Sequence, residues 1–230
     1  MLFRSTERHV SELARLLHEQ AQFLVLRPLP GQRVSLRLPD EQDRFELVFD
    51  LRSEYPLLLK TLRQFGVCHI HYHHLLGHGE EILRLPERLG LGYDFTAHDF
   101  FIICPDITLT DARGRYCGED GPEGSDRAAL AAWRQQFVAF SNGARYLIGP
   151  GRDVLARLAP YLPGAALRHI PHPDLDGIAR PAPHPLPLQG GRPLKVAVIG
   201  ALSVIKGADV LEDTELNRSE ERRVGKECRS

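Results

Sequence analysis

"VCHIHYHHLLGHGEEILRLPERLGLGYDFTAHD", residues 67–99, decides how the chain folds. Its opening, "VCHIHYH", reads as a strand. Successive side chains of a strand point to opposite sides, so His69, His71 and His73 share one face, and Cys68, Ile70, Tyr72 and His74 the other. "EEILRLPERLG" (80–90) then reads as a helix, and "YDFTAHD" (93–99) as a second strand. Two strands joined through a helix pair in parallel, because a parallel connection needs a crossover.

The pattern extends in both directions. "TERHVSELARLLHEQA" (6–21) puts Val10, Leu13, Leu16 and Leu17 on one helical face. "QFLVLRP" (22–28) is a short strand stopped by Pro28, while "RVSLRL" and "RFELVFD" alternate as half-buried strands do. "SEYPLLLKTLRQFG" (53–66) is a helix that tolerates Pro56 in its first turn and ends at Gly66. After a loop at 104–125 come a helix at 126–144 with Asp126 near its start, the strand "RYLIGP", the helix "GRDVLARLAPYL" and the strand "ALRHIPHP". The expectation is an α/β fold, a Rossmann-like parallel sheet covered on both faces. "PDLDGIARPAPHPLPLQGGRP" (173–193) is too rich in proline and glycine to continue either element and reads as a linker. "LKVAVIGALSVIKGADVLE" (194–212) restarts as strand, glycine turn and helix: the first β-α unit of a second Rossmann-like domain.

The 230 residues are 43% hydrophobic with a formal net charge of -1, which gives no argument for a nucleic-acid partner. No apolar run is long enough to span a membrane, and no secretory signal opens the chain. Four cysteines without paired spacing suggest free thiols in a reducing, cytoplasmic compartment. Both ends read as translated sequencing adaptor. "RSEERRVGKECRS" (218–230) follows one adaptor codon by codon, and "MLFRS" (1–5) the end of its companion. The organisation expected is therefore adaptor at 1–5, a first domain at 6–172, a linker at 173–193, the start of a second domain at 194–217, and an adaptor tail.

Two stretches carry a resemblance: "HIHYHHLLGH … LPERLGLGYDFTAHDFFIICPDITLTDARGRYCGE" (69–119) and "KVAVIGALSVIKGADVLE" (195–212). They resemble the family 4 (group 1) bacterial glycosyltransferases, enzymes of GT-B architecture, as does the opening "ERHVSELARLL". The resemblance implies that 6–172 is an acceptor-side domain lacking its first strand and that 194–217 begins the donor-side domain. It implies transfer of a sugar, with retention, from a nucleotide diphosphate sugar to a saccharide or lipid-linked saccharide. No cofactor or metal is implied, and the setting is the cytoplasm or the inner membrane face. A fragment with so little of a donor domain is expected to be inactive. A sugar-nucleotide epimerase of the same architecture, a non-catalytic carbohydrate-binding module and a zinc hydrolase are the competing readings.

The residues are weighed individually. Three imidazoles on one strand face invite zinc, but positions two apart step roughly 7 Å along a line and diverge. The run reads instead as a polar strand end at a crevice, with His73 and His74 facing an acceptor or simply packed. His98 and Asp99 stand where the next strand ends. The resemblance puts that histidine beside the donor sugar, with Asp99 as its orienting partner; a buried structural pair is the alternative. Arg113 and Tyr116, in the loop between Cys104 and Cys117, are acceptor-contact candidates or parts of an exposed turn. The two cysteines lack the further pair that would close a four-thiolate site. By resemblance, Lys206 with Gly200 and Gly207 would hold the donor diphosphate.

Overall fold

The computed structural model describes residues 4–39, 45–122 and 124–172, together with the isolated positions 204 and 208. The expected linker at 173–193, nearly all of the second-domain start and the tail lie outside the described residues. Within them the chain is α/β. Helix α1 (Arg4–Leu16) is followed by strands β1 (Val25–Leu29), β2 (Arg33–Arg37) and β3 (Glu46–Asp50), then α2 (Tyr55–Gln64) and β4 (Ile70–Tyr72). Short helices α3 (Glu80–Leu83) and α4 (Leu85–Leu89) lead to β5 (Tyr93–Thr96), and the long α5 (Arg127–Gly143) leads to β6 (Leu147–Gly149). Helix α6 (Arg152–Leu158) and a 3-10 turn precede β7 (Leu167–His169).

The strands form two sheets, not one. β4-β5-β6-β7 is parallel and in chain order, as the alternation of strands and helices requires. β1-β2-β3 is a separate antiparallel sheet, which corrects the expectation of a single parallel one. The cause is the length of the first connection. Only Pro30, Gly31 and Gln32 separate β1 from β2, enough to reverse the chain and too few for a crossover. Gly31 and Gln32 take the left-handed backbone that the reversal needs, at φ 79° and 59°. Arg52 Nε holds the Gln32 side chain at 2.7 Å.

Element ends shift for local reasons. The helix expected over 80–90 is divided, with Pro86 in the first turn of α4, where its missing N–H costs nothing. Gly90, at φ 69°, closes α4 in the left-handed conformation. Asp126 caps α5 as its position suggests, accepting the amides of Ala128 and Ala129 at 2.9 and 3.0 Å.

Strand alternation divides the parallel sheet into unlike faces. Tyr72, Phe95 and Leu147 are buried in the main core, and the Phe140 ring of α5 lies 5.1 Å from Tyr72 and 5.7 Å from Phe95. His71, Thr96 and Ile148 point the other way, to a cavity that His9, Leu13 and Leu16 of α1 also line. α1 therefore packs on the polar side of the sheet and α5 on the apolar side. Among the described residues no helix is long and apolar enough to cross a membrane.

Candidate functional site: a histidine cluster at the strand ends

The polar face is a ladder of side-chain pairs running up β4 and β5. His69 Nε2 lies 3.0 Å from Asp94 Oδ2, His71 Nε2 lies 2.8 Å from Thr96 Oγ1, and His73 Nδ1 lies 3.2 Å from His98 Nε2. Every rung joins residues 25 apart, so the register of two parallel strands sets all three. His69, His71 and His73 thus share one face, as alternation dictates, and each meets a different partner.

The ladder changes character as it climbs. Asp94 is buried and saturated. Besides His69 it takes Arg145 Nη2 at 3.2 Å and the Tyr146 amide at 3.1 Å. The middle rung is neutral, and burial pushes His71 down to about 4 even though Asp94 favours its charged form. At the top, just beyond the strands, the partners are all imidazoles. Parallel α/β sheets hold their ligands at this end.

Two further histidines complete the top. The His9 ring lies 5.2 Å from that of His73 and 5.3 Å from that of His98. His172 stacks on His98 at 5.3 Å and brings its Nδ1 within 2.7 Å of His9 Nδ1. One ligand atom each from His9, His73 and His98 can be chosen so that all lie within 4.8 Å of one another. Burial pushes His98 down to about 3 and His9 down to about 4, and it holds His73 well below its ordinary 6.5. Neighbouring imidazoles add to each depression. At neutral pH the three are uncharged, and each ring in that form has one nitrogen able to accept a hydrogen bond or bind a cation.

Asp99 does not orient His98. Its Oδ2 lies 2.6 Å from His74 Nε2, and its Oδ1 accepts the Phe101 amide at 2.9 Å. Consecutive residues diverge at a strand end, so His98 joins the His73 side and Asp99 the His74 side. His74 also accepts the Leu76 amide on Nδ1 at 3.0 Å. This second pair binds the two strand ends to each other next to the cluster.

The loop candidates are held elsewhere. Tyr116 is exposed and its hydroxyl accepts from Arg157 of α6 at 2.6 Å; Arg157 also pairs with Glu119 at 2.7 Å. The Arg113 amide donates to Asp111 at 2.8 Å within a tight turn. None of these contacts reaches a histidine of the cluster. Burial raises the thiols of Cys104 and Cys117, which keeps them protonated. Gly200, Lys206 and Gly207 lie outside the described residues.

Sequence reading passed over His9 and His172. His9 stands four and seven residues before Leu13 and Leu16, so it shares their helical face, and a histidine on an apolar stripe was the available signal. His172 follows β7 and offered no pattern of its own. A larger depression lies between Pro28–Gln32 and Leu76–Gly79, but His78 is its one titratable group, so the chemistry belongs to the smaller cavity beside the cluster. Compared with protein-family models, with curated proteins and with solved structures, the chain matches none.

Proposed function

We propose that this chain carries the acceptor-side domain of a retaining glycosyltransferase, one that moves a sugar from a nucleotide diphosphate sugar to a saccharide or lipid-linked saccharide. The observation that carries the reading is the position of His98. It is a half-buried imidazole, held neutral, just past the carboxyl end of a parallel strand, beside the strand end that bears His73. A neutral imidazole at such a crevice can accept a hydrogen bond from a sugar hydroxyl and orient it. His73 and His74 would then border the acceptor. Asp99 would act through His74, holding the strand ends in place without touching substrate. The donor diphosphate would belong to Gly200, Lys206 and Gly207 in a second domain.

The test is a screen of nucleotide diphosphate sugars against the protein carrying a complete second domain, followed by His98→Ala. Transfer should appear with one donor class, and His98→Ala should lower kcat by about 100-fold or more with the fold intact. Residues 1–230 alone should not transfer. Turnover unchanged by His98→Ala in a folded protein would overturn the assignment of His98. Transfer by residues 1–230 alone would overturn the donor-domain assignment.

A further inference from the structure

The histidines of the cleft come from four separate places: His9 from α1, and His73, His98 and His172 from just beyond β4, β5 and β7. A single strand could not make its histidines converge, but four elements meeting at one end of a sheet can. The separation of 3.2 Å between His73 Nδ1 and His98 Nε2 is informative. Two nitrogens bound to zinc at its usual length of about 2.0–2.1 Å stand about 3.4 Å apart in a tetrahedral shell. That pair already spans nearly one edge of such a shell. A hydrogen bond between the two rings explains their spacing. It does not explain why a third imidazole, from another element, offers a nitrogen within 4.8 Å of both.

We infer that His9, His73 and His98 form a site for a divalent transition metal of the zinc class, with its remaining coordination position open on the side of His9, which lines the cavity between α1 and the sheet. Imidazole nitrogen is a preferred ligand of zinc, and three such ligands with one open position is an established arrangement for it. His172 is a positioning residue, since its contact with His9 Nδ1 at 2.7 Å fixes that ring. The carboxylates that act on the trio are Glu12, near His9, and Asp99, near His98, and Asp99 is already paired with His74. The ion would therefore keep most of its charge and favour water, hydroxide or another oxygen ligand at the open position. The cavity, of about 220 Å³, is lined chiefly by apolar side chains such as Leu13, Ile148 and Ile170 and would shelter that ligand. Such an ion would compete with a sugar for His98. The inference nevertheless stands apart from the glycosyltransferase reading, because metal binding is read directly.

The experiment uses the 230-residue chain, stripped of metal, titrated with zinc by calorimetry and with cobalt(II) by visible absorption. One ion per chain should bind at about 1 μM or tighter, and cobalt should show the intense visible bands of a tetrahedral site. His73→Ala and His98→Ala should each weaken zinc by about 100-fold or more, and His172→Ala by about 10-fold. His78→Ala, in the other depression, should bind as the parent does. His9 is on a helix, where alanine favours the fold, so His9→Ala remains decisive should the two strand-end variants fail to fold. Zinc binding weaker than about 100 μM, or binding unaltered in a folded His9→Ala variant, overturns the inference. Absence of sugar transfer would leave it standing, and absence of metal binding would leave the glycosyltransferase reading standing.

Discussion

The two faces of the parallel sheet are made by alternate residues of the same strands and behave as opposites. Toward α5, Tyr72 and Phe95 present rings that pack on Phe140. Toward α1, their chain neighbours His71 and Thr96, with His73 and His98 beyond them, build a column of polar pairs. The apolar face needs only shape and volume to be satisfied, so it can hold the fold. The polar face needs specific partners at specific heights, and at the top of the column imidazoles are all it has. Stability and chemistry are thus separated by strand alternation alone, within one strand–helix–strand unit.

Acid should break the comparison most forcefully. Burial lowers His71 and His78 to about 4 and His98 to about 3, against 6.5 for an ordinary histidine. Below pH 6.5 the unfolded chain binds protons that the fold refuses, so stability falls as pH drops from 6.5 toward 4, and His98 carries the fall on to about 3. Each histidine contributes on the order of 3 kcal/mol to that loss. Together they reach roughly 10 kcal/mol, comparable with the whole stability of an ordinary metal-free domain, about 5–15 kcal/mol. The apolar face answers at the other end of the scale. Burial raises Tyr72, so its contribution is complete below pH 10 and lost as pH climbs beyond it. Denaturant midpoints measured from pH 4 to 11 should trace a dome. A flat acid limb would mean that the cluster is open to water.

Phe140→Ala tests the apolar face directly. The ring is buried and touches Tyr72, Tyr93 and Phe95, so truncation should cost about 3–5 kcal/mol. Equilibrium unfolding would report the loss. Zinc affinity should hold wherever the variant remains folded, since the Phe140 ring packs on Tyr72, Tyr93 and Phe95 and on none of the three ligands.

How much of this was legible in the residues varies with the range of the interaction. Alternation in "CHIHYHH" placed His69, His71 and His73 on one face correctly, because that rule is local. The parallel sheet followed from strands spaced by helices. The antiparallel sheet did not, because its strands alternate as any half-buried strand does and only the three-residue turn at Pro30–Gln32 distinguishes them. At the site, His73 and His98 were legible as strand ends. Their pairing was not, since it depends on the register between β4 and β5. The Asp99 assignment failed for the same reason: adjacency in sequence suggested His98 as partner, and the pleat gave it His74. His9 needed the packing of α1 on the sheet, a contact between distant parts of the chain that spacing does not encode.

Thr96→Val is the smallest change and the sharpest probe of the polar face. Valine keeps the shape of threonine and removes only the hydroxyl, at a position that is 3% exposed. His71 Nε2 would then lose its partner at 2.8 Å, in a half-buried setting, at a cost of about 1–2 kcal/mol. The His71 ring lies 4.1 Å from that of His73, so a released His71 can turn toward His73 and bring a further nitrogen to the trio. A modest loss of stability with unchanged zinc affinity means that the rungs are independent. The same loss with tighter zinc binding means that Thr96 keeps His71 out of the metal site. If the variant is as stable as the parent, the middle rung contributes nothing, and specificity on this face resides in Asp94 below it and the histidines above.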